Sequence, residues 1–335
     1  MPQRPTATTS LLSRRSFGGL ALGSLAGLAR SARAAATWRL ATPYAEGNFQ
    51  TLSTVIFAEE VARETSGRLV IDVYPNDSLL PAERILPAVM SGEIDLGEVQ
   101  LAWLSPWVAA AEVDTVPFLA TTYAEARQLW NASRQVFLRT FGRLNLVPLK
   151  AVPWPPVGLA SRVPLGHVGD LAGRRFLVTS PITRGFAQAV GALPVELPPA
   201  QAGAAFAQGQ FDALFAPVVE GLGRFQAPSP LYYYDVGAWL PKNAVVMSNA
   251  LYETLSSADQ GLLIALAEAS EERAWEASRQ EYERRLVTLA NLGATVETPS
   301  PALMDGLREI GNRLALDWLA RAGFDGEDIL RAYRI

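Results

Sequence analysis

A β-α-β-α-β order of predicted elements occurs twice in this chain, and no other sequence feature limits the fold as strongly. The first copy has predicted strands over 37–42, 69–74 and 94–99, with predicted helices over 49–65 and 82–90. Apolar residues at helical spacing define these helices, and a Ser-Gly pair ends each of them. Alternating strands and helices predict a parallel sheet with helices packed on its faces.

The second copy of this order lies further along the chain. Its predicted strands cover 174–178, 195–197 and 211–215, and its predicted helices cover 181–190 and 200–208. Ser180 can cap the first of these helices, with Pro181 in its first turn. A proline-rich connection over 147–156 leads into this unit, and a segment near 244–248 returns from it. Two crossings between two α/β units predict a hinged clamshell with a ligand cleft between its lobes.

A long helix is predicted after the return segment, over 256–292. Ser256 or Ser257 caps it, and at 1.5 Å per residue it reaches roughly 50 Å, which is longer than one lobe. Its middle, 271–285, is strongly charged and is expected to face water on most sides. Two helices with a break near Ser270 are the alternative.

Composition excludes several kinds of active site. The 335 residues contain no cysteine, so disulfide bridges, thiolate metal sites and cysteine nucleophiles are excluded. His167 is the only histidine, and it lies in a predicted loop where we expect it to face water. A histidine-rich zinc site and a histidine-based catalytic triad therefore have little to build on.

The first 34 residues have the order of a targeting signal. Arg14 and Arg15 precede an apolar stretch over 18–28, and small residues at 32–34 offer a cleavage site. We therefore expect a twin-arginine signal over 1–34 and a periplasmic location. Export by the general secretory route, or a basic N-terminus without a targeting role, are the alternatives.

Removal of this segment would leave an acidic chain. The segment holds five of the 29 basic residues and no acid, so with 33 acidic residues the remainder has a net charge near −9. Such a surface disfavours nucleic acid, which binds to basic patches. No later segment has about 18 uninterrupted apolar residues, so we expect the processed chain not to be embedded in a membrane.

Four stretches, taken in order, carry a resemblance to a known family. They are 66–83, with Ser-Gly-Arg-Leu and Val-Tyr-Pro-Asn; 91–119, with Gly-Glu-Ile-Asp-Leu and Val-Asp-Thr-Val-Pro-Phe-Leu; 170–195, with Asp-Leu-Ala-Gly-Arg-Arg; and 209–217, with Gly-Gln-Phe-Asp-Ala. Their order and spacing resemble the solute-binding subunits of tripartite ATP-independent periplasmic (TRAP) transporters, from about Trp38 to Leu319.

The resemblance implies an α/β fold, a two-lobe clamshell of the periplasmic binding protein kind with a long helix spanning both lobes. The implied parts are a first lobe over 35–152 and 244–255, a second lobe over 153–243, the bridging helix over 256–292, and a helical segment over 300–335 containing a helix over 301–322. It also implies a receptor rather than an enzyme, which binds one small organic acid and delivers it to the TRAP membrane subunits. Neither a cofactor nor a metal is expected.

Departures from the family pattern bear on the ligand. Many relatives have an arginine on the strand after Asp-Leu-x-Gly, where it pairs with the ligand carboxylate, and Leu177 occupies that position here. A second family arginine falls on the Pro155-Pro156-Val157 segment, and a Glu-Asn pair is replaced by Phe215-Ala216. These apolar replacements predict a ligand that is less anionic, or more apolar, than a four-carbon dicarboxylate.

Two other arginines are candidate anchors for a ligand carboxylate. Arg175 shares the strand side of Leu177, about 6.6 Å earlier along the strand. Arg184 lies near the first turn of the helix that Ser180 caps, and a helix N-terminus beside an arginine suits a carboxylate. A solvated surface position is the alternative for both. The remaining candidates lie at strand ends and crossings: Asn48, Glu83, Gln100, Trp103, Trp154, Phe215, Trp239 and Asn243.

Two other functions share parts of this pattern. An exported protein that presents its ligand to a membrane signalling partner would use the same fold and cleft. An exported α/β hydrolase would need a Gly-x-Ser-x-Gly nucleophile elbow, which this sequence lacks. An enzyme with a pair of catalytic carboxylates stays open at this point, because Asp and Glu are common in the chain.

Overall fold

Two β-sheets organise the part of the chain that the computed structural model describes, which is residues 36–197, 201–218 and 230–334. The strands are β1 Ala36–Ala41, β2 Leu69–Tyr74, β3 Leu96–Gln100, β4 Leu146–Pro153, β5 Val157–Ser161, β6 Arg175–Leu177, β7 Leu193–Val195, β8 Ala213–Pro217, β9 Tyr232–Tyr234, β10 Lys242–Ser248 and β11 Thr295–Glu297. The helices are α1 Phe49–Glu64, α2 Ala82–Ser91, α3 Tyr123–Arg143, α4 Pro181–Ala189, α5 Ala202–Ala207, α6 Asn249–Tyr252, α7 Ser257–Asn291 and α8 Pro301–Tyr333. The expected signal segment, 1–34, lies outside the described residues.

The first lobe is built on a five-stranded sheet in the order β2-β1-β3-β10-β4. Strands β1, β2 and β3 run parallel, as the β-α-β-α-β order predicts, and β10 pairs antiparallel with both β3 and β4. Local signals set the helix ends: the Asn48 side chain caps α1, and Gly92, with φ of 76°, ends α2. Helices α1, α2 and α3 cover the two faces of this sheet.

The second lobe is built on a six-stranded sheet in the order β11-β9-β5-β8-β6-β7. Strands β6, β7 and β8 run parallel, while β5 pairs antiparallel with β8 and β9. The Ser180 side chain accepts a hydrogen bond from the Thr183 backbone and forms a capping box at the start of α4, as the sequence predicts. The aromatic run 232–234 is strand β9.

Helices α7 and α8 pack on both lobes. Helix α7 is continuous over 35 residues, so the alternative of two helices is wrong. It places Leu263 in the core of the first lobe and Leu289 in the core of the second. Helix α8 is interrupted by a kink at Gly323, whose φ of 55° is not helical, so the predicted helix end at 322 coincides with the kink and a second helical segment follows it. None of the helices in the described ranges is long and apolar enough to cross a membrane.

The charged middle of α7 is less exposed than its composition predicts. Glu271 and Glu281 are each only 8% exposed. The Glu271 carboxylate accepts hydrogen bonds from the backbone N–H of Ala151 at 2.7 Å and from Trp130 Nε1 at 3.1 Å. The expectation that this stretch faces water is therefore wrong at these positions, because charged side chains that find hydrogen-bond donors can be buried.

A strained residue lies where the first lobe meets the crossing between the lobes. Phe118 has a φ of 58°, a left-handed conformation that is unfavourable for an aromatic residue. Its backbone N–H donates to the carbonyl of Ala238 at 2.7 Å, and its ring packs against the core of the second lobe and against Gly311 of α8. The segment therefore connects the crossing with α8.

Candidate functional site

The candidate cleft lies where strand ends of the two sheets face the crossings. In the first lobe these are the carboxyl ends of the parallel strands and the amino end of β10, and in the second lobe the carboxyl ends of β6, β7 and β8. The crossings hydrogen bond to each other, since Trp154 N donates to Pro241 O at 2.8 Å and Val157 N donates to Trp239 O at 2.9 Å. Open α/β sheets bind ligands beyond the carboxyl ends of their strands, so this edge is the candidate ligand-binding site.

Asn243 joins the crossings to the first lobe. It is 1% exposed, at the amino end of β10 and paired with Gln100 at the end of β3. Its Oδ1 accepts hydrogen bonds from Trp154 Nε1 at 2.9 Å and from Tyr44 Oη at 3.4 Å. The Tyr44 and Trp154 rings meet edge to face, with centroids 4.9 Å apart. Tyr44, Trp154 and Asn243, which are distant in the sequence, are thereby held together at the cleft edge.

A carboxylate is buried directly behind Asn243. Glu98 is 1% exposed, and its Oε1 accepts a hydrogen bond from Asn243 Nδ2 at 2.8 Å. Burial raises the pKa of Glu98, while the hydrogen bond from Asn243, the nearby hydroxyls of Thr42 and Thr54 and the charge of Lys150 lower it. The carboxylate thus lies in the lobe interior but is connected through one amide to the cleft.

Lys150 is the second buried charge behind the cleft. It is 2% exposed, and among the described residues its Nζ donates to the Ser53 carbonyl and hydroxyl, both at 2.9 Å, and to Ser270 Oγ at 3.1 Å. Burial lowers the pKa of Lys150 to about 7, although Glu98 acts in the opposite direction. Because burial disfavours the charged form, Lys150 loses its proton more easily than an exposed lysine, even though the oxygens around Nζ stabilise the ammonium.

The lysine content of the sequence is a signal for these buried charges that the sequence motifs do not contain. Only two of the 29 basic residues are lysines, Lys150 and Lys242, and both are buried in the strands that border the crossings. Lys242 lies 3.8 Å from Asp114, whose pKa burial raises to about 6. All the other basic residues of the chain are arginines. A lysine within an apolar strand therefore indicates a compact ammonium group that is buried in the fold.

An aromatic cluster forms the second-lobe side of the crossings. Phe215 is 7% exposed, and its ring centroid lies 4.7 Å from Phe186, 5.7 Å from Phe176 and 5.0 Å from Trp239. Leu177, which occupies the position of the family arginine, is buried on the other face of the sheet. The apolar residues that the sequence places here are therefore packed against one another, and the described residues of this aromatic cluster carry no charge.

A pocket of about 660 Å³, lined by residues of the second lobe, opens at the start of α4. Its lining includes the capping residue Ser180 and Arg184, which forms an ion pair with Glu196 after β7. The side chains of Arg184 and Glu196 are 41% and 66% exposed, so water screens the pair. The α4 N-terminus and this arginine supply partial and full positive charge to one wall.

Arg175 lies at the opposite end of its strand. Its side chain forms a two-point ion pair with Asp212, with Nη2 to Oδ1 at 2.7 Å and Nε to Oδ2 at 3.1 Å. It occupies the amino end of β6, whereas the cleft faces the carboxyl end. Arg175 and Leu177 are on the same side of β6, as the sequence predicts. Arg175 is at the end of this strand that faces away from the cleft, however, so the geometry does not support Arg175 as a ligand anchor.

The other predicted residues have separate positions. Asn48 caps α1 through a 2.9 Å hydrogen bond from Gln50 N, and Glu83 is exposed in the first turn of α2. Gln100 is at the cleft edge beside Asn243, and Trp103 packs against the first-lobe core. The structure thus brings Gln100, Trp154 and Asn243 together, and it places Phe215 with Trp239 and Arg184 on the second lobe.

Comparison with known proteins gives a consistent result. The family model for bacterial extracellular solute-binding proteins, family 7, matches residues 40–318. A curated relative, a solute-binding protein of Albidiferax ferrireducens, is 23% identical over 274 residues and covers 81% of each chain. The named relatives support a transport receptor and do not support the sensory protein or the hydrolase.

Solved structures of receptors have the same fold. DctP6, a Bordetella pertussis extracytoplasmic solute receptor binding pyroglutamic acid, has 31% identity and a TM-score of 0.84 over 89% of this chain and 99% of that one. A marine metagenome TRAP solute-binding protein specific for pyroglutamate has 30% identity and a TM-score of 0.83 over 90% and 99% of the two chains. A Desulfovibrio salexigens TRAP receptor with bound orotic acid, at 20% identity, shares the fold with a TM-score of 0.80 over 89% and 97%.

Proposed function

Because the chain belongs to family 7 of the bacterial extracellular solute-binding proteins, the TRAP receptors, we propose that it captures a compact monocarboxylate with a neutral ring, such as pyroglutamate. The family is one of extracytoplasmic receptors, not enzymes, which bind small organic acids. The bound solute would pass unchanged to the TRAP membrane subunits.

The observation that carries this proposal is the uneven charge of the second-lobe side of the cleft, which is aromatic in one part and positively charged in another. The second-lobe wall is aromatic at Phe215 and Trp239, and a family arginine is replaced by the buried Leu177. Arg184 and the capped start of α4 are suited to one carboxylate. A second carboxylate bound beside Arg184 would lie near the Glu196 carboxylate, and like charges repel.

The similar receptors support the same ligand class. Three receptor structures with 30–31% identity come from proteins that bind pyroglutamate, a small ring with one carboxylate and one amide. The amide of such a ring is a donor and an acceptor, and it would suit the polar edge formed by Gln100, Tyr44 and Asn243.

Titration calorimetry on the exported protein tests the proposal directly. We expect pyroglutamate to bind more tightly than succinate or glutarate and to be recovered unchanged. Arg184→Gln should weaken its affinity at least tenfold, since a charge-assisted hydrogen bond contributes about 1.5–3 kcal/mol. Arg175→Gln is the matched control, because its ion pair with Asp212 lies away from the cleft. Tighter binding of succinate, or unchanged affinity in Arg184→Gln, would contradict the proposal.

We propose that export uses the twin-arginine route. The paired Arg14 and Arg15 before an apolar stretch support it. Replacing both by lysine should leave the precursor in the cytoplasm, because that route reads the arginine pair, whereas the general secretory route tolerates lysine. Immunoblots of periplasmic fractions measure the difference, and undiminished export of the lysine variant would show the secretory route.

A further inference from the structure

The orientation of the Asn243 side chain is determined by chemistry on both of its sides. Trp154 Nε1 is a donor only, so it must meet the amide oxygen, and it does so at 2.9 Å. The carboxylate of Glu98 is an acceptor when ionised, so it must meet the amide nitrogen, and it does so at 2.8 Å. A flipped amide would place oxygen against carboxylate and nitrogen against the indole N–H.

Burial makes this arrangement costly to disturb. Glu98 and Asn243 are each 1% exposed, and Trp154 is 5% exposed. Glu98 Oε2 lacks a hydrogen-bond partner among the described residues. The hydrogen bond that Oε1 accepts from Asn243 is therefore the main contact between the Glu98 carboxylate and the cleft edge. Leaving a buried polar group without a hydrogen-bond partner costs about 1–3 kcal/mol. Loss of the Asn243 contact with Glu98 or with Trp154 is therefore unfavourable.

We propose that Glu98 is a positioning residue of the receptor. It orients the Asn243 amide so that the amide oxygen points to the cleft edge, where it holds the Trp154 indole and the Tyr44 hydroxyl at the first crossing. Glu98 does not touch the ligand, and it acts through Asn243. The effect on ligand affinity rests on the proposed function, whereas the effect on Trp154 does not.

A polarity exchange between the two positions tests this role. Asn243→Asp puts two carboxylates in contact and should perturb Trp154. Glu98→Gln alone keeps an acceptor oxygen for the Asn243 amide and should resemble the wild type. In the double variant the amide at position 98 donates to the carboxylate at position 243, whose second oxygen accepts from Trp154. The double variant should therefore recover what Asn243→Asp loses.

The first measurement needs no ligand. The ¹⁵N-indole resonance of Trp154, assigned with Trp154→Phe, should shift in Asn243→Asp and return in the double variant, and the midpoint of thermal unfolding should follow the same order. A double variant that remains as perturbed or as unstable as Asn243→Asp would overturn the proposal. An unshifted resonance in Asn243→Asp would also overturn it.

The second measurement is the affinity for pyroglutamate in the same four proteins. We expect at least a tenfold loss in Asn243→Asp, and affinities within about threefold of the wild type in the other two. A loss in Asn243→Asp that Glu98→Gln does not rescue would be evidence against positioning. If the wild type binds no pyroglutamate while the indole resonance follows the predicted order, the ligand proposal fails and the positioning role stands.

Discussion

Lys150 shows how a single residue can make the stability of this protein depend on pH. Its folded pKa is lowered to about 7 by burial, while a lysine in an unfolded chain titrates near 10.4. Between these values the unfolded chain binds more protons than the folded one, so the free energy of unfolding rises with pH. Below about pH 7 both states are protonated, and this residue adds no pH dependence.

We predict that Lys150→Met removes much of this rise. In the wild type, urea unfolding should show a slope of up to about 1.4 kcal/mol per pH unit from this residue between pH 7 and 10. Lys242, whose pKa burial also lowers, adds to the slope in both proteins. Arg308→Met, an exposed position on α8, should leave the slope unchanged. A slope as steep in Lys150→Met as in the wild type would show that the pKa of Lys150 is not lowered in the folded protein.

At the residue scale, the sequence indicated some residues of the candidate site and not the residues that contact them. Asn243, Trp154 and Gln100 were predictable because they lie at strand ends and crossings. Glu98 and Lys150 were not singled out, because each lies within an apolar strand and alternation alone does not show which face is enclosed. The serines that hold Lys150 are 97 and 120 residues away in the sequence, so no local pattern connects them.

Among the elements, helix α7 shows where local rules hold and where tertiary contacts override them. Its start is set by Ser256, whose side chain accepts from Asp259 N, and the sequence predicts this cap. Its charged middle is partly buried, because Glu271 finds donors on β4 and α3. Apolar spacing and the serine cap predict a helix here, but its continuity past Ser270 and its exposed face depend on what packs against it.

A pair of helical glycines gives a prediction at this scale. A Cβ added to Gly311 of α8 would lie 2.7 Å from Phe118 Cδ2 and 3.2 Å from the Pro117 carbonyl oxygen, so the strained segment must move. We expect Gly311→Ala to lower the free energy of unfolding by about 1–3 kcal/mol, as overpacking does. Urea unfolding of the purified variant measures this change.

Gly261 of α7 is the matched control. A Cβ there would meet no heavy atom within 4 Å, so Gly261→Ala gains helix propensity without a clash. It should raise the free energy of unfolding by about 0.5–1 kcal/mol. Equal effects of the two substitutions would mean that Phe118 does not press on α8.

On the scale of the whole molecule, the two lobes are joined by the paired crossings and by the long helices. The crossings hydrogen bond to each other through Trp154 and Pro241, and helices α7 and α8 each pack on the cores of both lobes. The repeated order of strands and helices predicted the two sheets, but the insertion of β10 between β3 and β4 depends on pairing across distant segments. A ligand that contacts both lobes should therefore shift the molecule toward a closed form.

Spin labels measure this closure without interference, because the chain has no cysteine of its own. Ser78→Cys, after β2 in the first lobe, and Ala189→Cys, at the end of α4 in the second, are both exposed. Saturating pyroglutamate should shorten and narrow the distance distribution between these labels, since closure brings the strand ends of the two sheets together. The pair Ser78→Cys and Glu59→Cys lies within the first lobe and should give the same distance with and without ligand. An unchanged distance across the lobes, in a sample that calorimetry shows to be saturated, would mean that the ligand binds to one lobe alone and that the crossings do not act as a hinge.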